Sequence, residues 1–255
     1  MNILVCMKAV PEVAEVRNGA QIQLIRDRAS LQWNPADESA LEIAVRLKGE
    51  DGAVTVLSMG PRKLEQALRN LFARGADEAI LLSDPQLAGS DTWATAKTLS
   101  AAVRILGDFD LILCGRRAID GETGQVPGML AAALERPCIT DVEKIEQGIC
   151  HRRLETGVQI LRFTAPAVLS LCEYSYPLRL PSILAMRRAK NKAVRILGVQ
   201  ELGLSPEETG LRGSFTRVVR TETTFPGLRK GPKERDPDIF CKKLLELCKE
   251  VHRDA

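Results

Sequence analysis

Short, uninterrupted apolar runs alternate with amphipathic stretches along the first half of the chain, and this alternation limits the possible folds more than any other feature. Four runs have the length and composition of buried strands: 2–7, 53–58, 79–82 and 111–114. Four further stretches carry apolar residues at helical spacing: 37–48, 64–74, 91–106 and 125–134. Asp91 can cap the third of these helices. Because fully buried strands separated by helices pack into parallel sheets, we predict an α/β fold with a doubly wound, mostly parallel sheet.

The remaining apolar segments predict additions to that sheet. Residues 149–154 and 158–164 alternate in polarity around a turn, which predicts an antiparallel hairpin, and residues 167–171 predict a further strand. Residues 21–26 and 30–33 predict a weaker, hairpin-like pair near the N-terminus.

The last quarter of the chain differs in composition from the rest. Residues 198–235 are rich in Gly, Pro, Thr and charge, and we predict no regular core there. Residues 236–252 predict an amphipathic helix with Asp236 as its N-cap and a proline at its first position. We therefore predict an α/β domain over 1–195 and an extended arm over 196–255, whose helix docks on a partner or folds back on its own domain.

The side chains that most enzymes and metal sites require are scarce. The chain has 2 His and 7 Cys, with no C-x-x-C spacing, so we predict no metal site and no catalytic side chain. A net charge of +3 and an aromatic content of 4% do not favour nucleic-acid binding. No apolar run has the length of a transmembrane segment, no signal peptide is evident, and the cysteine pattern is typical of a reducing compartment, so we expect a cytoplasmic protein.

The densest chemical signal is the segment 111–129, in which a strand is followed by a loop with Gly115, Gly121 and Gly124 and then by a helix. Such a loop can present backbone N–H groups, and the helix N-terminus adds partial positive charge, as a phosphate site requires. The segment is neither a Walker A loop nor G-x-G-x-x-G. A connection that merely turns the chain remains the alternative.

Two further turns are candidates for the same crevice, because they too lie beside the ends of predicted strands. Asn34 or Asp37 could cap the following helix, or the segment between them could face the ligand. Met59 ends a strand and could lie against an adenine ring, although core filling is the commoner role of methionine.

Six segments in order give the chain a resemblance, over essentially its whole length, to the beta subunit of electron-transfer flavoproteins. They are ILVCMKAVPE from Ile3, NPADESALE from Asn34, SMGP from Ser58, RGAD from Arg74, DTWATA from Asp91 and GRRAIDGETGQV from Gly115. Cys150 and Thr156 depart from the family's hairpin pattern, and Arg117 departs from its loop. The resemblance implies a Rossmann-like, adenine-nucleotide-binding sheet in one subunit of a heterodimeric electron carrier.

The resemblance also implies the residues of each site. The cofactor-binding positions would be Cys6, Lys8, Asn34, Pro35, Ala36, Asp37, Met59, Gly115, Arg116, Ala118, Ile119, Asp120, Gly121, Glu122, Thr123, Gly124, Gln125 and Val126. Leu180, beside Pro181, would dock on acyl-CoA or other flavin dehydrogenases, unless it covers its own core. The terminal helix would bind the alpha subunit.

The resemblance leaves two nucleotides open for the crevice. Ordinary members hold AMP there, whereas electron-bifurcating members hold a second FAD that is reduced by NADH. The segment GSFTRVVR from Gly213 resembles a tail motif of the bifurcating group, although Phe215 replaces the usual Pro. We therefore predict FAD, with AMP as the alternative at the same site, and NAD(H) as electron donor if the protein is bifurcating. Any oxidoreductase activity would belong to the whole complex.

A stand-alone nucleotide-binding sensor or stress-type protein with the same sheet architecture is the alternative class. Those proteins carry G-x-x-G followed nine residues later by Gly and then Ser or Thr. Here Gly121 and Gly124 supply the first half, but Leu134 and Glu135 stand where the second half belongs. The C-terminal arm also has no role in a stand-alone sensor.

Overall fold

The computed structural model describes residues 1–11, 31–219 and 236–251, the last of these without the side chains of 247–251. Its strands are β1 (Asn2–Cys6), β2 (Ala9–Pro11), β3 (Leu31–Trp33), β4 (Ala53–Met59), β5 (Glu78–Leu82), β6 (Leu111–Gly115), β7 (Cys138–Glu146), β8 (Ile149–Leu154), β9 (Gly157–Arg162), β10 (Ala167–Leu171) and β11 (Arg195–Leu197). Its α-helices are α1 (Pro35–Leu47), α2 (Glu65–Leu71), α3 (Thr92–Leu106), α4 (Val126–Ala133), α5 (Ile183–Ala189) and α6 (Pro237–Val251).

Nine of the described strands form one sheet in the order β11-β5-β4-β1-β6-β10-β7-β8-β9. Neighbours from β11 to β7 are parallel, while β7, β8 and β9 pair antiparallel. The chain runs outward from β1 through β4 to β5 and then resumes on the other side of β1 with β6. This reversal is the topological switch point, where sheets of this type bind ligands at the carboxyl ends of their strands. The predicted doubly wound fold is confirmed.

Two apolar layers cover the two faces of the sheet. Ile3 and Val5 of β1 belong to one layer, and Leu4 and Cys6 to the other, since successive side chains of a strand point to opposite faces. Helices α1 and α2 pack on the first layer, whereas α3 and α4 pack on the second. Burial on both faces is the reason why these strands are continuously apolar in sequence.

The antiparallel extension at one edge of the sheet is larger than predicted. The predicted hairpin is confirmed as β8 and β9, but β7 was not expected from the sequence. Asp141 and Lys144 interrupt its apolar pattern, and its pairing with β8 shifts register between Val142 and Lys144. A bulged, half-exposed strand of this kind shows neither regular alternation nor a continuous apolar run. Near the N-terminus, β3 pairs with β2, and the predicted partner segment 21–26 lies outside the described residues.

Residues beyond 195 continue the first compact unit, which extends to Val219, and this differs from the irregular arm predicted there. Strand β11 covers the edge of β5, and Val199 and Leu202 join the second apolar layer. A strand of three residues is too short to give a periodic signal in the sequence.

The second unit spans 220–255, and its described part is α6. The side chain of Asp236 accepts the backbone N–H of Asp238 at 2.9 Å, which confirms the predicted N-cap. Within this unit four apolar side chains of the helix are exposed: Ile239, Phe240, Leu244 and Leu245.

Candidate functional site

The carboxyl ends of β1 and β6 meet at the switch point, and the predicted glycine-rich loop begins there. Gly115 is the last residue of β6, and Lys8 follows β1 after one further residue. Helix α1 approaches the same place with its N-terminus, which brings the segment 34–37 against both strand ends. The topology therefore gathers three of the sequence-predicted segments at one position.

Asp37 joins these three segments. Its buried carboxylate accepts the backbone N–H of Lys8 at 2.7 Å, the backbone N–H of Gly115 at 2.9 Å and the Asn34 side-chain amide at 3.0 Å. Burial raises the pKa of Asp37 from 3.8 to about 7, against the opposing effect of its donors and of the Lys8 charge. One carboxylate thus fixes the relative positions of β1, β6 and α1.

Asn34 does not act as the helix cap that its place in the sequence predicts. It occupies the N-cap position of α1, but its side chain makes no capping hydrogen bond. Its amide nitrogen donates to Asp37 and, at 3.0 Å, to the carbonyl oxygen of Arg117, while its oxygen accepts the N–H of Ile119 at 3.3 Å. Asn34 therefore holds the beginning of the glycine-rich loop against α1.

Position 115 has no room for a side chain. A Cβ on this residue would lie 2.2 Å from the Asp37 carboxylate, 2.8 Å from the Cβ of Ala36 and 2.9 Å from the Asn34 amide. Any side chain would displace the carboxylate that joins the three segments, so the backbone of β6 can approach α1 only at a glycine.

The second half of the loop is open to solvent. Ala118 accepts the N–H groups of Gly121 and Glu122, and Gly124 has a φ of 63°. Among the described residues, the hydroxyl of Thr123 and the backbone N–H groups of Thr123 and Gly124 donate to no protein acceptor. These donors precede α4, whose N-terminus adds partial positive charge. The arrangement fits phosphate oxygens.

Two of the cofactor-binding positions that the resemblance implies are cations, and both are engaged with carboxylates. Lys8 Nζ lies 2.7 Å from Asp120 and is half exposed. Arg116 donates two hydrogen bonds of 2.7 Å to Glu173 and lies 3.4 Å from Asp141. These bonds lower the pKa of Glu173 to about 2. Arg116 therefore ties the loop to the end of β10.

The apolar side of the crevice is formed by the second layer. Cys6 and Cys114 are buried at the ends of adjacent strands, and Met59 packs partly buried against the same layer. All three side chains therefore belong to the apolar core, and the side of the crevice that they form is apolar. The remaining predicted residues, Pro35 and Ala36 in α1 and Val126 at the start of α4, lie in the elements that border the loop.

Asp91 and Thr92, at the N-terminus of α3, were not predicted to border the loop. Thr92 donates its hydroxyl to the side chain of Gln125 at 2.9 Å. Asp91 caps α3 through the N–H of Ala94 and also accepts the N–H and hydroxyl of Thr216. The cap was visible in the sequence, but the contact between residues 125 positions apart was not.

Leu180 lies on the segment between β10 and α5, and 88% of its surface is exposed. Its neighbour Arg179 donates three hydrogen bonds to Glu42, a carboxylate buried in α1. The exposed apolar surface continues into α5 with Ile183, Leu184 and Met186. An anchored segment therefore presents an apolar side chain to solvent beside the half-buried Pro181.

The described part of the chain contains no group of His, Cys, Asp and Glu side chains that could hold a metal ion. Within the same residues, no helix combines the length and apolar character needed to cross a membrane.

Residues 21–202 match a protein family described as "Electron transfer flavoprotein domain". The chain is 44% identical to the electron transfer flavoprotein subunit beta of Thermoanaerobacterium thermosaccharolyticum, with 98% of this chain and 96% of the relative covered. It is 39% identical to subunit CarD of the caffeyl-CoA reductase-Etf complex of Acetobacterium woodii, with 87% of each chain covered. It is 35% identical to protein FixA of Azotobacter vinelandii, with 96% of this chain and 92% of the relative covered.

Proposed function

The chain belongs to the electron transfer flavoprotein family, and from this premise we propose that it is the beta subunit of a heterodimeric carrier that relays electrons between dehydrogenases. The observation that carries the proposal is the set of unpaired donors at Thr123 and Gly124, placed at the switch point of a doubly wound sheet. A stand-alone sensor with the same sheet would not need the exposed apolar residues of α6.

The bound group is a nucleotide whose phosphate lies at Thr123 and Gly124, with Met59 on the apolar side of the crevice. We favour FAD over AMP, because the segment 213–220 resembles the tail of electron-bifurcating members and a similar chain is a subunit of a reductase–Etf complex. FAD supplies the chemistry of one- and two-electron transfer. The protein's residues bind and orient the FAD, and Asp37 fixes the relative positions of β1, β6 and α1, which border the crevice.

Two partners follow from the exposed apolar surfaces. The helix α6 binds the alpha subunit through Ile239, Phe240, Leu244 and Leu245. The segment around Leu180 docks on a flavin dehydrogenase, such as an acyl-CoA dehydrogenase, since an exposed leucine on an anchored segment is suited to transient contact. In the bifurcating case NADH is the electron donor.

The test is to co-express the chain with the alpha subunit, purify the complex, release bound nucleotides by heat and identify them. Two FAD per heterodimer, with loss of flavin absorbance on addition of NADH, would support the bifurcating carrier. One FAD with one AMP would retain the carrier and exclude bifurcation. A stable monomer that holds ATP would overturn the carrier in favour of the sensor.

A further inference from the structure

The first compact unit exposes an aromatic pair that the nucleotide site described above does not include. The rings of Trp93 and Phe215 lie with their centroids 5.2 Å apart, tilted by 36°. Trp93 is 44% exposed and Phe215 is 79% exposed. Two large aromatic rings held together in solvent leave their outer faces available for a further ring.

The surrounding hydrogen bonds fix both rings in place. Ser214 accepts the backbone N–H of Asp91 at 2.8 Å, and the Asp91 carboxylate accepts the N–H of Thr216 at 2.9 Å. Phe215 is therefore held between two anchored residues. Trp93 lies in the first turn of α3, which the same carboxylate caps through Ala94. One carboxylate thus orders both halves of the pair.

The helix turn that carries Trp93 contacts the end of the glycine-rich loop. Thr92, next to Trp93, donates its hydroxyl to Gln125 at 2.9 Å. Gln125 lies two positions after Thr123, a chain length of at most about 7 Å. The turn of α3 that carries Trp93 therefore contacts the loop that holds the unpaired phosphate donors.

We propose that Trp93 and Phe215 form a stacking platform for the planar heteroaromatic ring of the nucleotide whose phosphate lies at Thr123 and Gly124. The inference rests on the proposed function, since it requires a nucleotide in the crevice. Because stacking on an aromatic side chain stabilises a bound base, loss of one ring should weaken binding roughly tenfold. Asp91 is a positioning residue for this platform and does not touch the nucleotide.

The experiment uses the full-length chain, stripped of nucleotide, and titrates it calorimetrically with FAD and with AMP. Phe215→Leu and Trp93→Leu should each raise the dissociation constant roughly tenfold, whereas Phe215→Tyr, which retains a ring, should keep wild-type affinity. Ile105→Ala is the matched control, because Ile105 lies near the opposite end of α3 and is also 44% exposed. Unchanged circular dichroism would show that the variants fold.

The outcomes show which ring of the nucleotide stacks on the pair, and they distinguish failure of this inference from failure of the proposed function. Weaker binding of FAD alone assigns the platform to the isoalloxazine, and weaker binding of both ligands assigns it to adenine; either supports the inference. Wild-type binding that neither leucine variant weakens overturns it. A wild-type chain that binds neither FAD nor AMP contradicts the proposed function itself.

In a Trp33→Phe background, Trp93 is the remaining tryptophan of the chain, so its fluorescence gives an independent readout. FAD should quench this emission if the isoalloxazine stacks on the pair, and Phe215→Leu should shift the quenching curve to higher concentration. Quenching with an unshifted curve in Phe215→Leu would count against the platform.

Discussion

At the scale of single residues, the site depends on Gly115, where the backbone of β6 meets the Asp37 carboxylate. Gly115→Ala should destabilise the protein by about 1–3 kcal/mol, because the new methyl group would overlap one oxygen of a carboxylate that has three donors. It should also lower the nucleotide content of the purified protein. Urea unfolding, followed by analysis of released nucleotide, measures both effects.

Gly121→Ala is the control for this prediction, since a Cβ at Gly121 would meet nothing within 4 Å. We expect its unfolding free energy to lie within about 0.5 kcal/mol of wild type. Equal destabilisation by both substitutions would show that glycine is needed for flexibility of the loop and not for the approach of β6 to α1.

Asp37 gives the protein a distinctive pH dependence. The pKa of Asp37 is about 7 in the folded protein, whereas the ordinary value of 3.8 applies to the unfolded chain. Between pH 3.8 and 7 the folded state therefore binds more protons than the unfolded state. The contribution of Asp37 to stability is therefore present below pH 3.8 and is lost as the pH rises through 7. Asp37→Asn should show a flatter dependence of unfolding free energy on pH between 4 and 8.

The comparison of urea midpoints at several pH values tests this, with Asp51→Asn on the exposed turn after α1 as the control. The control should retain the wild-type slope. A wild-type slope in Asp37→Asn as well would mean that other groups produce the pH dependence.

The residues of the site were predictable from sequence only in part. The glycines of the loop and the segment 34–37 could be proposed because both are turns that lead into a predicted helix, and ligands of doubly wound sheets bind at such turns. The bonds of Arg116 to Glu173 were not predictable, because they join separate segments of the chain. A guanidinium beside a glycine loop suggests phosphate equally well until its carboxylate partner is known.

At the scale of elements, the segment between β10 and α5 exposes the Leu180 side chain while the neighbouring Arg179 fixes its backbone to α1. Leu180→Ala should leave the melting temperature and nucleotide content unchanged, because the side chain is 88% exposed. Electron transfer to the dehydrogenase should fall roughly tenfold in kcat/KM, as expected for an apolar interface anchor. Stopped-flow reduction of the acceptor by the purified heterodimer measures this rate.

Leu154→Ala, on the antiparallel hairpin and 40% exposed, is the control for docking. Its transfer rate should match wild type. Loss of nucleotide or of stability in Leu180→Ala would assign the residue to the core and remove the docking role.

Elements with strong periodicity could be predicted, and those without it could not. The helix that became α3 was expected with its cap at Asp91, because fifteen residues offer several turns of regular spacing. Strands β7 and β11 were missed for physical reasons: the first is bulged and partly exposed, and the second has three residues.

At the scale of the whole molecule, the chain divides after Val219. Truncation at this residue should leave the melting temperature within a few degrees of the full chain, because residues 1–219 form a compact unit of their own. Association with the alpha subunit should be lost, since α6 carries the exposed apolar residues. Differential scanning fluorimetry and size-exclusion chromatography with the alpha subunit measure the two properties.

A matched variant keeps the full length and replaces Phe240 and Leu244 by Ser, which removes apolar surface without removing the helix. It should also fail to associate. A truncated chain that aggregates would place part of the second unit in the core of the first, and a truncated chain that still associates would move the subunit interface elsewhere.

The position of β10 between β6 and β7 has a consequence for the order of folding. The hairpin extension precedes β10 in the chain, yet it joins the parallel sheet only through β7 and β10. The extension can form early from local contacts, but it docks only after residues 167–171 have inserted beside β6. Amide hydrogen exchange in β8 and β9 should therefore be fast relative to β1 and β6, since the last part to dock is the first to open.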